Sequence, residues 1–332
     1  MAFPLTCWTV TNGAAGMENQ CIGMAEAIGL SPTVKRISLK TPWRQLIPQL
    51  RIGLRFAFDR DSDPISPPWP DLVIGCGRHS LAALLRIRQA TRGRTFTVYI
   101  QNPHLRADLF DLIIAPRHDR ISGPNVVVTR GAVHRVTPQQ LTAASAQFGP
   151  RLAWLPRPRV AVLIGGTNGV YRITPEITAR LGDRLAALCH DHGAGLMVTP
   201  SRRTGKDNEA ILRQRLSGLP AEIWDGSGDN PYFGYLGLAD AIVVTGDSVS
   251  MVSEACSTGK PVYVIDLEGG SRKFNDFHRL MRDDDLVRPF TGTLEAWKGQ
   301  RLDDNSLAAT ELHRRLVERG LMPRGALPHH EG

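Results

Sequence analysis

Three stretches of the chain hold residues whose types and spacing suit a phosphorylated ligand. Ile164-Gly165-Gly166-Thr167-Asn168-Gly169 follows an apolar run. Glycines there let backbone approach a ligand closely, and successive unpaired N–H groups form an anion nest. Thr245-Gly246-Asp247-Ser248 ends a second apolar run and puts Ser248 and Ser250 at the start of an expected helix. Orphan amides and the helix dipole favour phosphate at such a point. Glu254 stands one turn on, where a carboxylate suits the two hydroxyls of a ribose. Arg203, in Ser201-Arg202-Arg203-Thr204, offers a guanidinium with the geometry for phosphate. Gly165, Gly166, Thr167, Asn168, Arg203, Gly246, Asp247, Ser248, Ser250 and Glu254 thus make up an expected nucleoside-diphosphate site. Helix N-termini and arginine can balance a diphosphate without metal, and no Cys/His cluster has zinc spacing. No metal and no cofactor are expected.

The amino-terminal half carries a different set. Asn12, Gly13, Glu18, Asn19 and Gln20 lie in or just after a glycine loop, Asn12–Gln20, and suit the binding of hydroxyl groups. Glu18 is a candidate general base. Its alternative role is charge stabilisation at a helix N-terminus. Gly75-Cys76-Gly77-Arg78-His79-Ser80 is a second loop of this kind. His79 is its group that titrates near neutrality, although a lone histidine is more often structural. Gln101, Asn102 and His118 end two later apolar runs. Glu18 and His79 are therefore the catalytic candidates. Asn12, Gly13, Asn19, Gln20, Arg78, Gln101, Asn102 and His118 are candidates for holding acceptor or sugar. His118 and Asp119 are adjacent, so their side chains are expected to point apart.

Positioning these loops requires strands that end where the loops begin. Leu5–Val10, Asp71–Ile74, Phe96–Ile100, Leu112–Ala115 and Asn125–Thr129 read as strands of one half. Val160–Ile164, Leu196–Thr199, Glu222–Trp224, Ala241–Thr245 and Val262–Ile265 read as strands of the other. Fully apolar runs of this length suit parallel strands buried on both faces. Helices are expected over Glu18–Ile28, Leu81–Gln89, Pro175–His190, Val249–Ser257 and Leu307–Arg319. The fold class is α/β, with two Rossmann-like doubly wound domains facing each other across a cleft. The expected division is 1–150, a proline-marked linker 151–158, 159–302, a C-terminal helix 303–322 and a loose tail 323–332.

Composition agrees with a globular chain of two domains: 332 residues, 42% hydrophobic and 22% charged. The formal net charge of +8 favours anionic partners. Aromatic residues are only 6%, with no stacking platform, so nucleic acid is not an expected partner. Five scattered cysteines and the lack of a leader pattern suggest a reducing, cytoplasmic setting. Thr41–Phe58 reads as a basic amphipathic element, with Thr41 as N-cap and Pro42 as the first helical residue. Trp43, Leu46, Ile47, Leu50, Leu54 and Phe58 form its apolar face; Arg44, Arg51 and Arg55 lie on another. It suits the surface of an anionic membrane, which would place the protein peripherally on the inner face. The alternative is a helix packed on its own domain.

The GGTNG loop together with ADAIVVTGDSVSMVSEACSTGKPVYVI resembles the nucleotide-sugar half of the GT-B glycosyltransferases. The layout is similar to that of the peptidoglycan N-acetylglucosaminyltransferase. TNGAAGMENQCIGMAEAIG, VYIQNP, PRHD, TPSRRT and TGDSVSMVSEA resemble, more closely, the mitochondrial-fission "elongated mitochondria" family. The resemblance covers most of the chain. It implies diphosphate contacts at Gly165, Gly166, Ser248 and Ser250 and ribose contact at Glu254. The histidine that ends the first glycine loop of the peptidoglycan enzyme has no counterpart; Met17 and Glu18 occupy that region. The function it implies is transfer of a sugar from a nucleotide-diphosphate sugar to an acceptor, with a lipid-linked acceptor as one option. A non-catalytic adaptor and a nucleotide-sugar epimerase are the alternatives.

Overall fold

The computed structural model describes residues 5–324, so most of the expected tail 323–332 lies outside the described residues. The chain forms two compact units, each built on its own six-stranded parallel sheet.

The first unit contains β1 (Cys7–Thr11), α1 (Ala15–Ala27), β2 (Thr33–Arg36), α2 (Trp43–Leu46), β3 (Leu72–Cys76), α3 (Ser80–Thr91), β4 (Phe96–Ile100), β5 (Leu112–Pro116) and β6 (Val126–Thr129). Its strand order is β2-β1-β3-β4-β5-β6. Every residue of β3, β4 and β5 is buried, as expected of strands covered on both faces. α1 covers one face through Cys21, Met24 and Ala25, and α3 covers the other through Leu81, Leu84 and Ile87.

The second unit contains α4 (Pro138–Phe148), β7 (Arg159–Ile164), β8 (Tyr171–Arg172), α5 (Pro175–His192), β9 (Gly195–Pro200), α6 (Lys206–Arg215), β10 (Ala221–Ile223), α7 (Tyr232–Leu238), β11 (Ala241–Thr245), α8 (Val249–Cys256), β12 (Val262–Ile265), β13 (Glu268–Gly269), α9 (Arg272–Asp283) and β14 (Arg288–Pro289). Its main sheet runs β10-β9-β7-β11-β12-β14. Alternation along β7 divides the core: Val160, Val162 and Ile164 face α5 and α6, whereas Ala161 and Leu163 face α4, α7, α8 and α9. Thr174 caps α5 by accepting the Ile177 N–H at 3.2 Å, with Pro175 at the first helical position. Thr137 and Ser271 cap α4 and α9 in the same way.

The division differs from the expected one. The first unit ends at Arg135 and takes back the segment from Asp303, which forms the C-terminal helix α10 (Asp304–Glu318). Ala308, Ala309, Leu312 and Leu316 of α10 fill the core beside α1. α4 belongs to the second unit because Phe148 packs into the core beneath α7. Residues 151–158 are not a linker. Leu152 and Leu155 are buried in that same core, so the prolines mark a bend on a packed surface.

The segment Thr41–Phe58 also differs from expectation. Only Trp43–Leu46 is α-helical, with Pro42 rather than Thr41 at its N-cap position and no side-chain cap. Leu54–Phe56 is a separate 3₁₀ turn. Pro48 lacks the N–H that would continue a helix. Ile47 and Leu54, placed on the expected apolar face, are instead buried in the unit's own core.

Among the described residues, no helix is long and apolar enough to cross a membrane, and no group of three or more His, Cys, Asp or Glu could hold a metal ion.

Candidate functional site

Strand order reverses between β7 and β11 in the second unit, and between β1 and β3 in the first. Crevices at such switch points are where open α/β sheets bind ligands, beyond the carboxyl ends of the strands. The loops singled out in the sequence follow these strands: 165–169 after β7, 246–248 after β11, 12–14 after β1 and 77–79 after β3.

In the second unit, the centre of this region is the carboxylate of Asp247, whose side chain is fully buried. Thr245 donates its hydroxyl to Asp247 Oδ1 at 2.6 Å, and the Gly166 N–H donates to Oδ2 at 3.1 Å. Arg203 completes the set with a guanidinium nitrogen 2.8 Å from Oδ2. The glycines are required by these contacts. A Cβ at Gly165 would lie 2.2 Å from Asp247 Oδ1, and one at Gly166 would lie 2.0 Å from the Arg203 carbonyl oxygen.

This corrects the expectation of unpaired amides in the loop. The Gly165 N–H donates to the Thr245 hydroxyl at 2.8 Å, and the Gly166 N–H is held by Asp247. The Thr167 N–H donates to the Arg203 carbonyl at 3.1 Å and the Asn168 N–H to the Tyr171 carbonyl at 2.9 Å. The side chains are used as well. Thr167 Oγ1 accepts from Ile173, and Asn168 donates to the Asp247 carbonyl while accepting from Val170 and Tyr171. The protein supplies its own anion to the nest.

What faces outward is the start of α8 and one arginine. Ser248 is the N-cap, half-buried, and its hydroxyl accepts the Met251 N–H at 3.3 Å. Ser250 lies half-buried in the first turn of α8. Arg203 leaves 40% of its side chain exposed while Asp247 anchors it. The Gly246 N–H belongs to the sheet, donating to the Ile265 carbonyl at 2.9 Å.

Glu254 is also corrected. It does not face an open site: it is buried, and Tyr232 donates its hydroxyl to Glu254 Oε2 at 2.5 Å. Burial pushes its carboxyl up to about 7, although the Tyr232 hydrogen bond pulls the other way.

Sequence reasoning missed Tyr232, the Thr245 hydroxyl and His278. His278 lies on α9 with Nε2 2.7 Å from the Gly246 carbonyl oxygen, so Nε2 carries the proton and donates. Burial holds its pKa below the usual histidine value, leaving the ring neutral near pH 7. Nothing in local spacing marks a pairing across 32 residues.

In the first unit most candidates are engaged by their own protein. Asn12 accepts the Ala14 N–H at 3.2 Å and Thr11 accepts the Gly13 N–H at 3.0 Å, which closes the loop. Glu18 forms a two-pronged pair with Arg36, both contacts 2.8 Å. Arg36 holds the Glu18 carboxyl below the usual carboxylate range, against a smaller effect of burial. This corrects Glu18 as general base, since a lowered pKa makes it a weak one. Asn19 is half-buried at the same helix start. Gln20 is buried and accepts from the Cys76 thiol at 3.8 Å, so it supports the core instead of the rim. Arg78 donates to the carbonyls of Gln45 and Ile47, a structural use that corrects its acceptor role.

His79 is half-buried, and burial followed by the charges of Arg44 and Arg78 lowers its pKa. Among the described residues its Nδ1 is buried without a hydrogen-bond partner. Gln101 is half-buried with φ of 90°. The Asn102 N–H and side-chain amide donate to the carboxylate and carbonyl of Asp119, each at 3.0 Å, tying the β4 and β5 loops together. His118 is buried with Nε2 3.6 Å from Asp119 Oδ1, so these neighbours do not point apart as expected.

Two parallel, doubly wound units with ligand-type loops at their switch points define a protein of the GT-B fold class. The UDP-GlcNAc 2-epimerase of Neisseria meningitidis, solved bound to UDP-GlcNAc, superposes with a TM-score of 0.50 at 14% identity, covering 96% of this chain and 93% of that one. MurG of Acinetobacter baumannii does so with a TM-score of 0.50 at 12% identity, covering 96% and 92%. Residues 15–316 match the mitochondrial fission ELM1 family, and the chain belongs to it. The mitochondrial fission protein ELM1 of Arabidopsis thaliana is 29% identical, over 94% of this chain and 91% of that protein.

Proposed function

We propose that this chain binds a nucleotide-diphosphate sugar on its second unit and transfers the sugar to an acceptor hydroxyl held by the first. The observation that carries this reading is Arg203, clamped by the buried Asp247 carboxylate immediately before the N-cap of α8. A guanidinium fixed on one side keeps its remaining N–H groups aimed at a second anion. The helix start adds amides and dipole to the same place, where charge on a leaving diphosphate would be stabilised. The UDP-GlcNAc held by the Neisseria fold neighbour supports this class of ligand. With Gly165 to Asn168 occupied internally, the diphosphate contacts fall to Arg203, Ser248 and Ser250. His79 replaces Glu18 as the first-unit candidate for accepting the hydroxyl proton, because burial and two arginines keep its half-buried ring neutral.

The test is a thermal-shift and calorimetry screen of nucleoside diphosphates and their sugar conjugates. At a hundredfold excess over Kd, a ligand raises stability by about 2.7 kcal/mol. Arg203→Lys retains a charge for Asp247 but loses the planar fork, and is expected to weaken binding about tenfold. If no nucleoside diphosphate shifts the melting temperature, the reading is wrong. Product analysis of a responding sugar nucleotide separates transfer from epimerisation, and turnover without acceptor would favour the latter.

A further inference from the structure

The loop between Leu39 and Phe58 in the first unit combines two unusual features. Of seven large hydrophobic side chains exposed among the described residues, three lie within it: Leu46, Ile52 and Phe56. Ile52 is 82% exposed, more than any of the others. From Lys40 to Phe58 the sequence also has four cations, Lys40, Arg44, Arg51 and Arg55, and no acidic residue.

The exposure is imposed by a built base. The Lys40 N–H donates to the Ala57 carbonyl at 2.8 Å, and a bridge joins Leu39 to Phe58. The Trp43 indole N–H donates to the Ile52 carbonyl at 2.9 Å, and Arg78 holds the Gln45 and Ile47 carbonyls. Ile47, Leu54 and Ala57 are buried beneath. A Cβ on Gly53 would lie 3.4 Å from the Trp43 ring and 3.9 Å from the Phe56 ring, so these groups sit side by side. The Arg55 guanidinium lies 4.5 Å from the centre of the Phe56 ring. With Ile47 and Leu54 buried, Leu46, Ile52 and Phe56 are left outward; Ile52 and Phe56 directly follow Arg51 and Arg55 in the sequence.

We propose that this loop is a wedge for an anionic bilayer: Leu46, Ile52 and Phe56 enter the boundary between headgroups and acyl chains, while Arg44, Arg51 and Arg55 contact lipid phosphates. Charge selects this occupant. Exposed apolar side chains in a segment with four cations and no acidic residue between Lys40 and Phe58 match a surface that is apolar below and negative above. The wedge acts without nucleotide, so its failure would leave the proposed function standing.

The experiment is flotation of the full chain with vesicles of phosphatidylcholine alone, or with a third of phosphatidylglycerol, at low and high salt. Binding is expected only to the anionic vesicles and is expected to weaken with salt. Ile52→Ser with Phe56→Ser should reduce partitioning by about a hundredfold, since each apolar side chain removed costs roughly tenfold. Arg51→Gln with Arg55→Gln should cost about five-fold per charge and flatten the salt dependence in proportion, Arg44 and Lys40 keeping the remainder. Leu307→Ser, at an exposed apolar position outside the loop, should change nothing. All substituted side chains are exposed, and melting curves confirm folding. No flotation by the native chain, or equal flotation by the Ile52/Phe56 variant, overturns the proposal. Binding only to an acidic soluble protein would do the same.

Discussion

Asp247→Ala is expected to lower the stability of the second unit by about 3 kcal/mol, read from urea unfolding. The substitution strips an acceptor from the Thr245 hydroxyl and the Gly166 N–H, both buried. Arg203 loses less, because its exposed part can turn to water. Asp247→Asn should recover part of the loss by restoring shape and one acceptor. A sharper result is expected in combination. Gly165→Ala alone should be severely destabilising, since its Cβ collides with the Asp247 carboxylate at 2.2 Å. In the Asp247→Ala background that collision is gone, so the two effects should fall well short of additive. Additive effects would mean that the glycine answers to something other than this carboxylate.

The second large effect concerns pH. Glu254 is held neutral by burial, with its pKa raised from 4.5 to about 7. A raised folded-state value means that the folded protein binds the extra proton between these limits. The stabilisation is therefore complete below about pH 4.5 and is lost as pH rises through about 7. The full span corresponds to about 3 kcal/mol. Glutamine imitates the protonated acid and can still accept the Tyr232 hydroxyl. Glu254→Gln should thus be more stable than the native chain by up to about 3 kcal/mol at pH 8, with the advantage fading toward pH 5. Unfolding measured across this range checks it; parallel curves for both proteins would refute the assignment. The same variant serves the proposed function. It keeps the fold while altering only the carboxylate, so nucleotide affinity is expected to stay unchanged for a Glu254 that is buried away from the site.

Sequence marks the framework of both units well and their polar interiors poorly. Phe96–Ile100, Ala241–Thr245 and Val262–Ile265 are bounded in the structure as their apolar runs suggest. A strand covered on both faces reads as a nearly continuous apolar run, which marks its limits. β2 leaves no signal in the sequence, because Thr33–Arg36 has no buried residue and gives no apolar run. α6 buries only Leu212 along its length and left little periodic signal. The prolines at 156 and 158 suggested a boundary that Leu152 and Leu155 contradict by packing inward.

At the candidate site, location was legible and occupancy was not. Glycine loops after strands correctly indicate where backbone must be approached closely. They do not say whether the approaching group is a ligand or a side chain of the protein. Asp247 lies 81 residues from the amide it accepts, and Tyr232 reaches Glu254 from another helix. Such pairings depend on how strands are ordered in the sheet, which local spacing does not encode.

The return of α10 to the amino-terminal unit also fixes an order of events during synthesis. Translation delivers all of residues 136–302 before the last four apolar wedges of the first core, Ala308, Ala309, Leu312 and Leu316, leave the ribosome. The internal unit can close while its host still has an open seam beside α1. A nascent chain arrested near Leu302 would therefore carry one finished lobe and one sticky one, a natural substrate for chaperones.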